Sequence, residues 1–390
     1  MTKCRYRFAV AAVTLMLGVC GTRGELSGEL QSQARAAIAD GLRWLASVQK
    51  DNGAWSNAGF PALTALPLEA FLRAKGVSFD AEVPAKALKY VLSCVRDDGG
   101  IYRKSFIPLK GGLATYNTAI CMVALHYTGD RAYAGVIQKA RTFIAGSQRL
   151  GDDRYAGGFG YNPDARKTDM LSTLHAVEAM RLTQGVEDLR PATEKRATLD
   201  WAAVSKYITS MQNTPNAGAD ESGGFHYAPG KSGAGKGTGA DGTVYFRSYG
   251  SMTYTGLLGL LYAQVTRDDP RIRSAFDWAA KHWSLDENPG LGAQGMYFFY
   301  NVLTKALAVY GAPAIPRKEG DPIDWRSAVV EKLLSLRQRD EETGALYWAY
   351  ENGRFWENDP MLVTAYTIIA LEAILGPDAP APTAPPEAQP

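Results

Sequence analysis

The chain has 390 residues, of which 46% are hydrophobic and 21% are charged. This composition supplies a sizeable core and excludes a disordered chain or a small disulfide-stapled protein. The 42 Lys and Arg residues and 40 Asp and Glu residues leave a formal net charge of +2 with no basic run, so we do not expect a nucleic-acid partner. The four His and four Cys residues lack the spacings of zinc or haem motifs, and we expect no metal or other cofactor.

Both ends of the chain differ in composition from the rest. Three basic residues precede an apolar run over residues 8–19, and glycines follow at positions 21 and 24, which predicts a signal peptide over residues 1–24 and a secreted or periplasmic protein. The apolar run is short for a bilayer span, so a permanent anchor is disfavoured while peripheral membrane association stays open. Residues 377–390 consist largely of Pro and Ala, and we expect an extended disordered tail there.

Between these ends, a pair of helices joined by a Gly-aromatic turn recurs six times. The first helix of each pair is amphipathic and the second is nearly all apolar. We predict first helices ending at Gln49 and spanning 85–95, 136–148, 201–212, 272–283 and 325–338, and second helices spanning 61–72, 116–127, 169–182, 249–265, 296–310 and 361–375. The turns between them are expected to contain no strands, with Gly taking unusual dihedral angles.

The second helices share a register of small residues. In five of them a Thr is followed six positions later by Ala or Gly, and the fifth copy has Val302 and Ala308 instead. Small residues at a fixed depth allow neighbouring helix backbones to approach, so we expect six inner helices around one axis and six outer helices around them. The fold class predicted for residues 30–376 is all-α, a closed (α/α)6 toroid.

One turn carries a recognisable motif. Residues 49–55 read Gln-Lys-Asp-Asn-Gly-Ala-Trp, which resembles the Gln-x-x-x-Gly-x-Trp repeat of squalene and oxidosqualene cyclases, and the later Gly-Phe-x-Tyr turns resemble degenerate copies found across the prenyltransferase and squalene-cyclase repeat proteins. The resemblance covers residues 32–376. It implies an (α/α)6 toroid with a ligand cavity at one end of the inner barrel.

The chemistry of this family carries over poorly. The family's proton-donating Asp-x-Asp-Asp-Thr run corresponds to residues 169–173, where Asp169 remains but Leu171 stands at the donor position. An Asp-x-Cys pair of the kind that binds zinc in protein prenyltransferases is missing from the sequence. Together with the predicted signal peptide, the resemblance implies an exported protein that binds an apolar, isoprenoid-type ligand in the toroid cavity, with cyclase chemistry doubtful and enzyme activity left open.

Candidate site residues lie where chain segments enter the inner helices, because six parallel helices bring those segments to one rim. Asp169, Glu287 and Asp359 are the candidate catalytic acids and bases, although each also suits a helix cap or a turn. The candidate ligand-binding residues are Tyr116, His175, Tyr249, Tyr297 and Tyr300, for which core packing is the competing interpretation. Free N–H groups at the six helix N-termini are expected to favour an anion at this rim.

Two further functions stay open at this point. Rim carboxylates acting on an exported glycan would make the protein a glycan-active toroid. The outer face could instead serve as a scaffold for binding protein. Cys94 and Cys121 remain in the mature chain, and the sequence allows either a disulfide or two buried thiols, while the oligomeric state is undetermined.

Overall fold

The computed structural model describes residues 26–104 and 112–376. The predicted signal peptide and the predicted C-terminal tail both lie outside these residues. The outer helices are α1 (Gly28–Ser47), α3 (Glu82–Leu92), α5 (Ala134–Gly146), α7 (Trp201–Ser210), α9 (Pro270–Lys281) and α11 (Trp325–Ser335). The inner helices are α2 (Ala62–Arg73), α4 (Ala114–Tyr127), α6 (Met170–Leu182), α8 (Gly250–Tyr262), α10 (Met296–Tyr310) and α12 (Pro360–Leu375). The predicted alternation of outer and inner helices is confirmed.

The inner helices form a closed ring. Each packs against the next in chain order, and α12 packs against α2, which joins the last repeat to the first. The inner helices are buried on nearly every face because they contact one another and the outer layer. The outer helices bury one stripe only, as their amphipathic pattern requires. The predicted (α/α)6 toroid is therefore the fold of the chain.

The helix bounds differ from the prediction mainly at the C-terminal ends of the outer helices. The sequence predicted that α1 ends at Gln49 and α7 at Gln212, but in the structure α1 ends at Ser47 and α7 at Ser210. Gln49 instead donates from its side chain to the carbonyls of Gly53 and Val83, 3.1 and 2.9 Å away. Gln212 makes the equivalent bonds to Gly223 and Arg271. These glutamines tie each turn to the start of the following outer helix.

The expectation of strand-free connections is wrong. Strands β1 (Lys236–Thr238) and β2 (Val244–Phe246) pair in the fourth repeat, and β3 (Gln338–Arg339) and β4 (Leu346–Tyr347) pair across the sixth turn. Single antiparallel bridges join the two arms of the second and fourth turns. The turn is narrow enough that its two arms come within backbone hydrogen-bonding distance.

The recurring threonines of the inner helices clamp these turns. Thr173 Oγ1 accepts a hydrogen bond from the Phe159 backbone N–H at 3.0 Å. The same bond joins Thr64 to Trp55, Thr118 to Ile101, Thr253 to Phe225 and Thr364 to Trp348, at 2.8–3.2 Å. Each of these donors is buried and would otherwise lack a partner. The Thr register thus attaches each turn to its inner helix.

Glycines allow the turns to approach the next outer helix. Gly157 has φ of 91°, and a Cβ placed on it would lie 2.0 Å from the carbonyl oxygen of Ala203 in α7. Gly53, Gly99 and Gly223 have the same left-handed φ and the same close carbonyl neighbour in the following repeat. Both the φ and the space exclude any other residue. The two cysteines of the described chain, Cys94 and Cys121, are buried free thiols.

Candidate functional site

The N-termini of the inner helices meet at one rim, and their N–H groups are already capped. Asn117 accepts from Ala62 at the start of α2, and Asn162 accepts from Ala114 at the start of α4, at 2.9 and 3.0 Å. The start of α6 donates to the Tyr227 carbonyl, α8 to Asn288 and α10 to Glu357. In each case the acceptor belongs to the following repeat.

The ring of caps closes at the last helix. Asp359 caps α12 by accepting from the Met361 N–H at 3.0 Å, and Ser56 of the first repeat donates to the same carboxylate. The expected anion site at free helix N-termini is therefore wrong, because protein oxygens take up these donors. The physical reason is that the second to sixth repeats each supply an acceptor for the inner helix before them, a relation that one helix read alone does not reveal.

A cluster of tyrosines surrounds Asp169 at this rim. Asp169 accepts hydrogen bonds from Ser172, through its backbone N–H at 2.8 Å and its hydroxyl at 3.0 Å, and from the Tyr227 hydroxyl. The Tyr227 and Tyr161 hydroxyls lie 3.2 Å apart, and the ring of Tyr116 lies 5.7 Å from that of Tyr161. Asp169 therefore caps α6, as its simpler interpretation predicted, and also lies at the centre of a phenol cluster.

Burial favours the neutral form of the Asp169 carboxyl. It raises the pKa of this carboxyl to about 6, even though the interactions with Ser172 and Tyr227 favour the charged form. Burial and the Asp169 carboxyl likewise raise the pKa of Tyr161 to about 12. Below about pH 6 both groups are therefore protonated, whereas at pH 7 most of the Asp169 carboxyl is ionised and Tyr161 is still neutral.

Side chains cross the lumen of the ring at two levels. Tyr116 on α4 interacts electrostatically with Tyr366 on α12, and these helices are second neighbours on either side of α2. Deeper in the ring, Lys305 on α10 pairs with Glu178 on α6, again across one intervening helix. Tyr262 on α8 donates to the same Glu178 oxygen at 3.3 Å. The lower half of the lumen is thus bridged by charged side chains.

His175 lies between these two levels. Its ring packs edge-on to Tyr116 at 5.0 Å, and its Nδ1 lies 4.0 Å from Glu178, while Nε2 is buried without a hydrogen-bond partner. Burial lowers its pKa to about 4, so the imidazole is neutral at physiological pH. The structure places this candidate residue in the lumen beside the tyrosine cluster.

Apart from Tyr249, the other candidate residues lie away from that cluster. Glu287 is exposed in the turn before α10. Tyr300 is buried and donates to the Leu285 carbonyl at 2.6 Å, and Tyr297 packs 5.7 Å from Tyr300. Tyr249 is buried at the start of α8, close enough to Asp169 for that carboxyl to raise its pKa further beyond the effect of burial. Of the three candidate acids, only Asp169 is placed among the rim tyrosines.

Sequence analysis missed Glu357, which is fully buried at the start of α10. Its Oε1 accepts from the Phe298 N–H at 2.8 Å, and its Oε2 is buried without a hydrogen-bond partner. Burial raises its pKa to about 7, against the opposing effect of the α10 N–H groups. The one available signal was Gly295 before α10, since a glycine cannot cap a helix with its side chain and another residue must do so.

A second concave region lies at the opposite end of the ring. This cleft of about 660 Å³ borders the C-termini of α6 and α8 and includes Arg141, Arg181 and Trp201. Arg141 bonds to Glu187 at 2.8 Å, and Arg181 stacks on Trp201 at 4.3 Å. These guanidinium groups already have partners within the protein. In the part of the chain that the structure describes, no cluster of His, Cys, Asp and Glu suits a metal, and none of the helices has the length and hydropathy to cross a membrane.

Comparison with known proteins shows similarity in fold. No protein-family model and no curated protein sequence matches the chain. Among solved structures, it is similar to Candida albicans protein geranylgeranyltransferase-I complexed with GGPP, with a TM-score of 0.53, 12% identity, and coverage of 86% of this chain and 90% of that one. The (α/α)6 toroid fold is shared. The resemblance inferred from the repeat motif is confirmed at that level.

Two further solved structures share the fold, and their names give different enzyme activities. A variant of a type II terpene cyclase from Scytonema, in complex with its substrate geranylgeranyl dihydroxybenzoate, matches with a TM-score of 0.53 and 12% identity, covering 89% of this chain and 98% of that one. Cellobiose 2-epimerase from Spirochaeta thermophila matches with a TM-score of 0.51 and 14% identity, covering 89% and 98%. Similarity at this identity concerns the fold alone.

Proposed function

We propose that the protein binds an isoprenoid-type ligand, largely apolar with one uncharged polar group, at the N-terminal rim of the ring. The observation that carries this proposal is the cluster of tyrosines around Asp169. Tyr116, Tyr161 and Tyr227 are only half-buried, so their rings and hydroxyls are within reach of a ligand entering from the rim. Aromatic faces contact an apolar chain, while the hydroxyls and the carboxyl pair with its polar end.

Aromatic residues at the mouth extend this surface. Phe355 and Trp356 are 51% and 46% exposed, and Phe60 packs edge-on against Trp356 at 5.2 Å. Two of the structures with this fold were solved with geranylgeranyl compounds, which makes an isoprenoid the first ligand to test. Because Leu171 occupies the position of the cyclase proton donor, the proposal is binding and not cyclisation of the squalene type.

The test is a search for bound lipid followed by titration. Organic extracts of the purified protein are analysed by mass spectrometry for polyprenoids, and geranylgeraniol is titrated while tryptophan fluorescence is recorded. Asp169→Asn keeps a good helix cap, so we expect stability to change by about 1 kcal/mol or less while affinity falls about tenfold. Asp324→Asn, which alters the exposed cap of α11, is the matched control. Absence of both a bound polyprenoid and saturable binding would refute the proposal.

A glycan is the second candidate ligand, because the lumen is polar below the rim. The pair of Glu178 and Lys305 and the phenol hydroxyls suit a hydroxylated ligand better than a long hydrocarbon. An epimerase of a disaccharide shares the fold. Titration with cellobiose in the same fluorescence assay separates the two ligands. Saturable cellobiose binding that Asp169→Asn weakens, without geranylgeraniol binding, would favour the glycan.

We also propose that the protein acts outside the cytoplasm. The support is the order of basic, apolar and small residues over residues 1–24. N-terminal sequencing of the protein recovered from the culture medium, the periplasm and the cytoplasm tests this. An intact N-terminus on cytoplasmic material alone would contradict it.

A further inference from the structure

Glu357 occupies a position where the fold needs only a hydrogen-bond acceptor. The equivalent caps in three other repeats are the amides Asn117, Asn162 and Asn288, each accepting a helix N–H with its side-chain oxygen at 2.9–3.0 Å. Glu357 performs the same task for α10 with Oε1 alone. An amide would do so without a desolvated ionisable group. Capping α10 therefore does not explain why this position has a carboxyl instead of an amide.

The second oxygen of Glu357 is unsatisfied. Oε2 is buried and lacks a hydrogen-bond partner, and an unmade buried hydrogen bond costs about 1–3 kcal/mol. The carboxyl interacts electrostatically with Tyr297, Tyr350 and Tyr366. Phe298, from whose N–H the carboxyl accepts, packs 6.1 Å from Tyr366. Tyr366 interacts electrostatically with Tyr116, so Glu357 adjoins the tyrosine cluster of the rim. A ligand in that cluster is the group that could pair with Oε2.

The residues before Glu357 have a strained backbone. Phe355 and Trp356 have φ of 63° and 68°, a left-handed conformation that large side chains rarely adopt. Such strain costs on the order of 1–3 kcal/mol per residue and concentrates at functional sites. Both side chains are half exposed at the mouth. Glu357 follows this segment directly in the chain.

We propose that Glu357 is a ligand-binding residue of the rim site, with Oε2 hydrogen-bonded directly to the ligand. In its neutral form the carboxyl donates from Oε2 to a hydroxyl oxygen at the polar end of the ligand, and no proton is transferred. The N–H groups at the start of α10 hold the carboxyl in place through Oε1. This inference rests on the proposed function, since the ligand must reach the rim.

The protonation state at neutral pH fits this role. With a pKa of about 7, the carboxyl is about half protonated at pH 7, whereas an exposed glutamate is almost entirely ionised. Asp169 has a lower pKa and both of its oxygens already accept hydrogen bonds from Ser172, so it is the poorer hydrogen-bond donor of the two. Glu357 is thus the carboxyl that donates to the ligand.

The test uses the chemical reactivity of the full chain. A water-soluble carbodiimide activates protonated carboxyls, and glycinamide then traps them as amides that peptide mass spectrometry locates. At pH 7 we expect Glu357 to be modified at least about tenfold faster than exposed Glu342 and Glu351, because far more of it is protonated. Glu357→Gln must lose this adduct, and Asp359→Asn, a cap two residues away, must keep it.

Addition of geranylgeraniol or cellobiose separates this inference from the proposed function. Protection of Glu357 by either probe supports direct contact with the ligand. Rapid modification that neither probe slows would support a reachable, protonated Glu357 while contradicting the proposed ligands. If Glu342 and Glu351 are modified but Glu357 is not, the carboxyl is a sealed structural cap and the inference is overturned.

Discussion

Removing the Glu357 carboxyl should change how stability depends on pH. The raised pKa means that the folded protein binds this proton more tightly than the unfolded chain does. Its contribution to stability is therefore fully present below pH 4.5, the ordinary pKa, and is lost as the pH rises to about 7. At about 1.36 kcal/mol per pKa unit, the loss amounts to about 3 kcal/mol. Glu357→Gln keeps the acceptor for α10 and cannot ionise.

The measurement is urea unfolding of the wild type and Glu357→Gln between pH 4.5 and pH 8.5. The free energy of unfolding of the wild type, relative to the variant, should fall by about 3 kcal/mol up to pH 7 and then stay level. Near the melting temperature this corresponds to about 4 °C for a chain of this size. Subtracting the two curves removes the opposite effect of His175 and His226, whose lowered pKa values make stability rise with pH. Parallel curves would show that Glu357 is not a buried acid.

Three further predictions, made with five substitutions, test the physical basis of the fold. Thr253→Val leaves the buried Phe225 N–H without a partner and should cost about 1–3 kcal/mol in urea unfolding, whereas Thr255→Val removes a buried hydroxyl that has no partner and should be neutral or stabilising. Gly157→Ala should prevent folding or lower the melting temperature sharply, while Gly135→Ala, inside α5 with open space around it, should stabilise the protein by about 0.5–1 kcal/mol. Lys305→Met removes the charged partner of the buried Glu178 carboxylate and should cost about 3–5 kcal/mol in urea unfolding, and an unchanged stability would show that the pair is solvated.

The fold could be predicted from sequence because the signal recurs. Six pairs of amphipathic and apolar helices, each joined through a Gly-aromatic turn, leave few architectures other than a ring. The recurring threonines are visible in the sequence too, but the sequence does not show what their side chains bind. In the structure Thr173 accepts a hydrogen bond from the Phe159 N–H, which lies 14 residues away in the chain. A hydrogen bond to a turn leaves no periodic pattern of its own.

The site was harder to predict because it depends on contacts between repeats. Asp169 was found since it keeps one position of a known run, and its role as a cap followed from its place before α6. Glu357 follows no motif, and it comes directly after a left-handed turn at Phe355 and Trp356, which sequence patterns do not encode. The expectation of free N–H groups failed because five of the inner helices receive an acceptor from the next repeat, which a helix read in isolation cannot show.

Capping between repeats also explains why the polar groups of the site gather at the rim. When an inner helix is capped by its own residue, the polar side chain lies at the N-terminus of that helix, as Asp169 does for α6. When the capping residue comes from the following repeat, its side chain lies between two neighbouring inner helices, as Asn288 does between α8 and α10. Closing the ring brings all such side chains to one end. A single exchange of an amide for a carboxyl, at Glu357, is then enough to turn a structural cap into a buried acid beside the lumen. The toroid can in this way acquire an ionisable group without disturbing the helix packing that closes it.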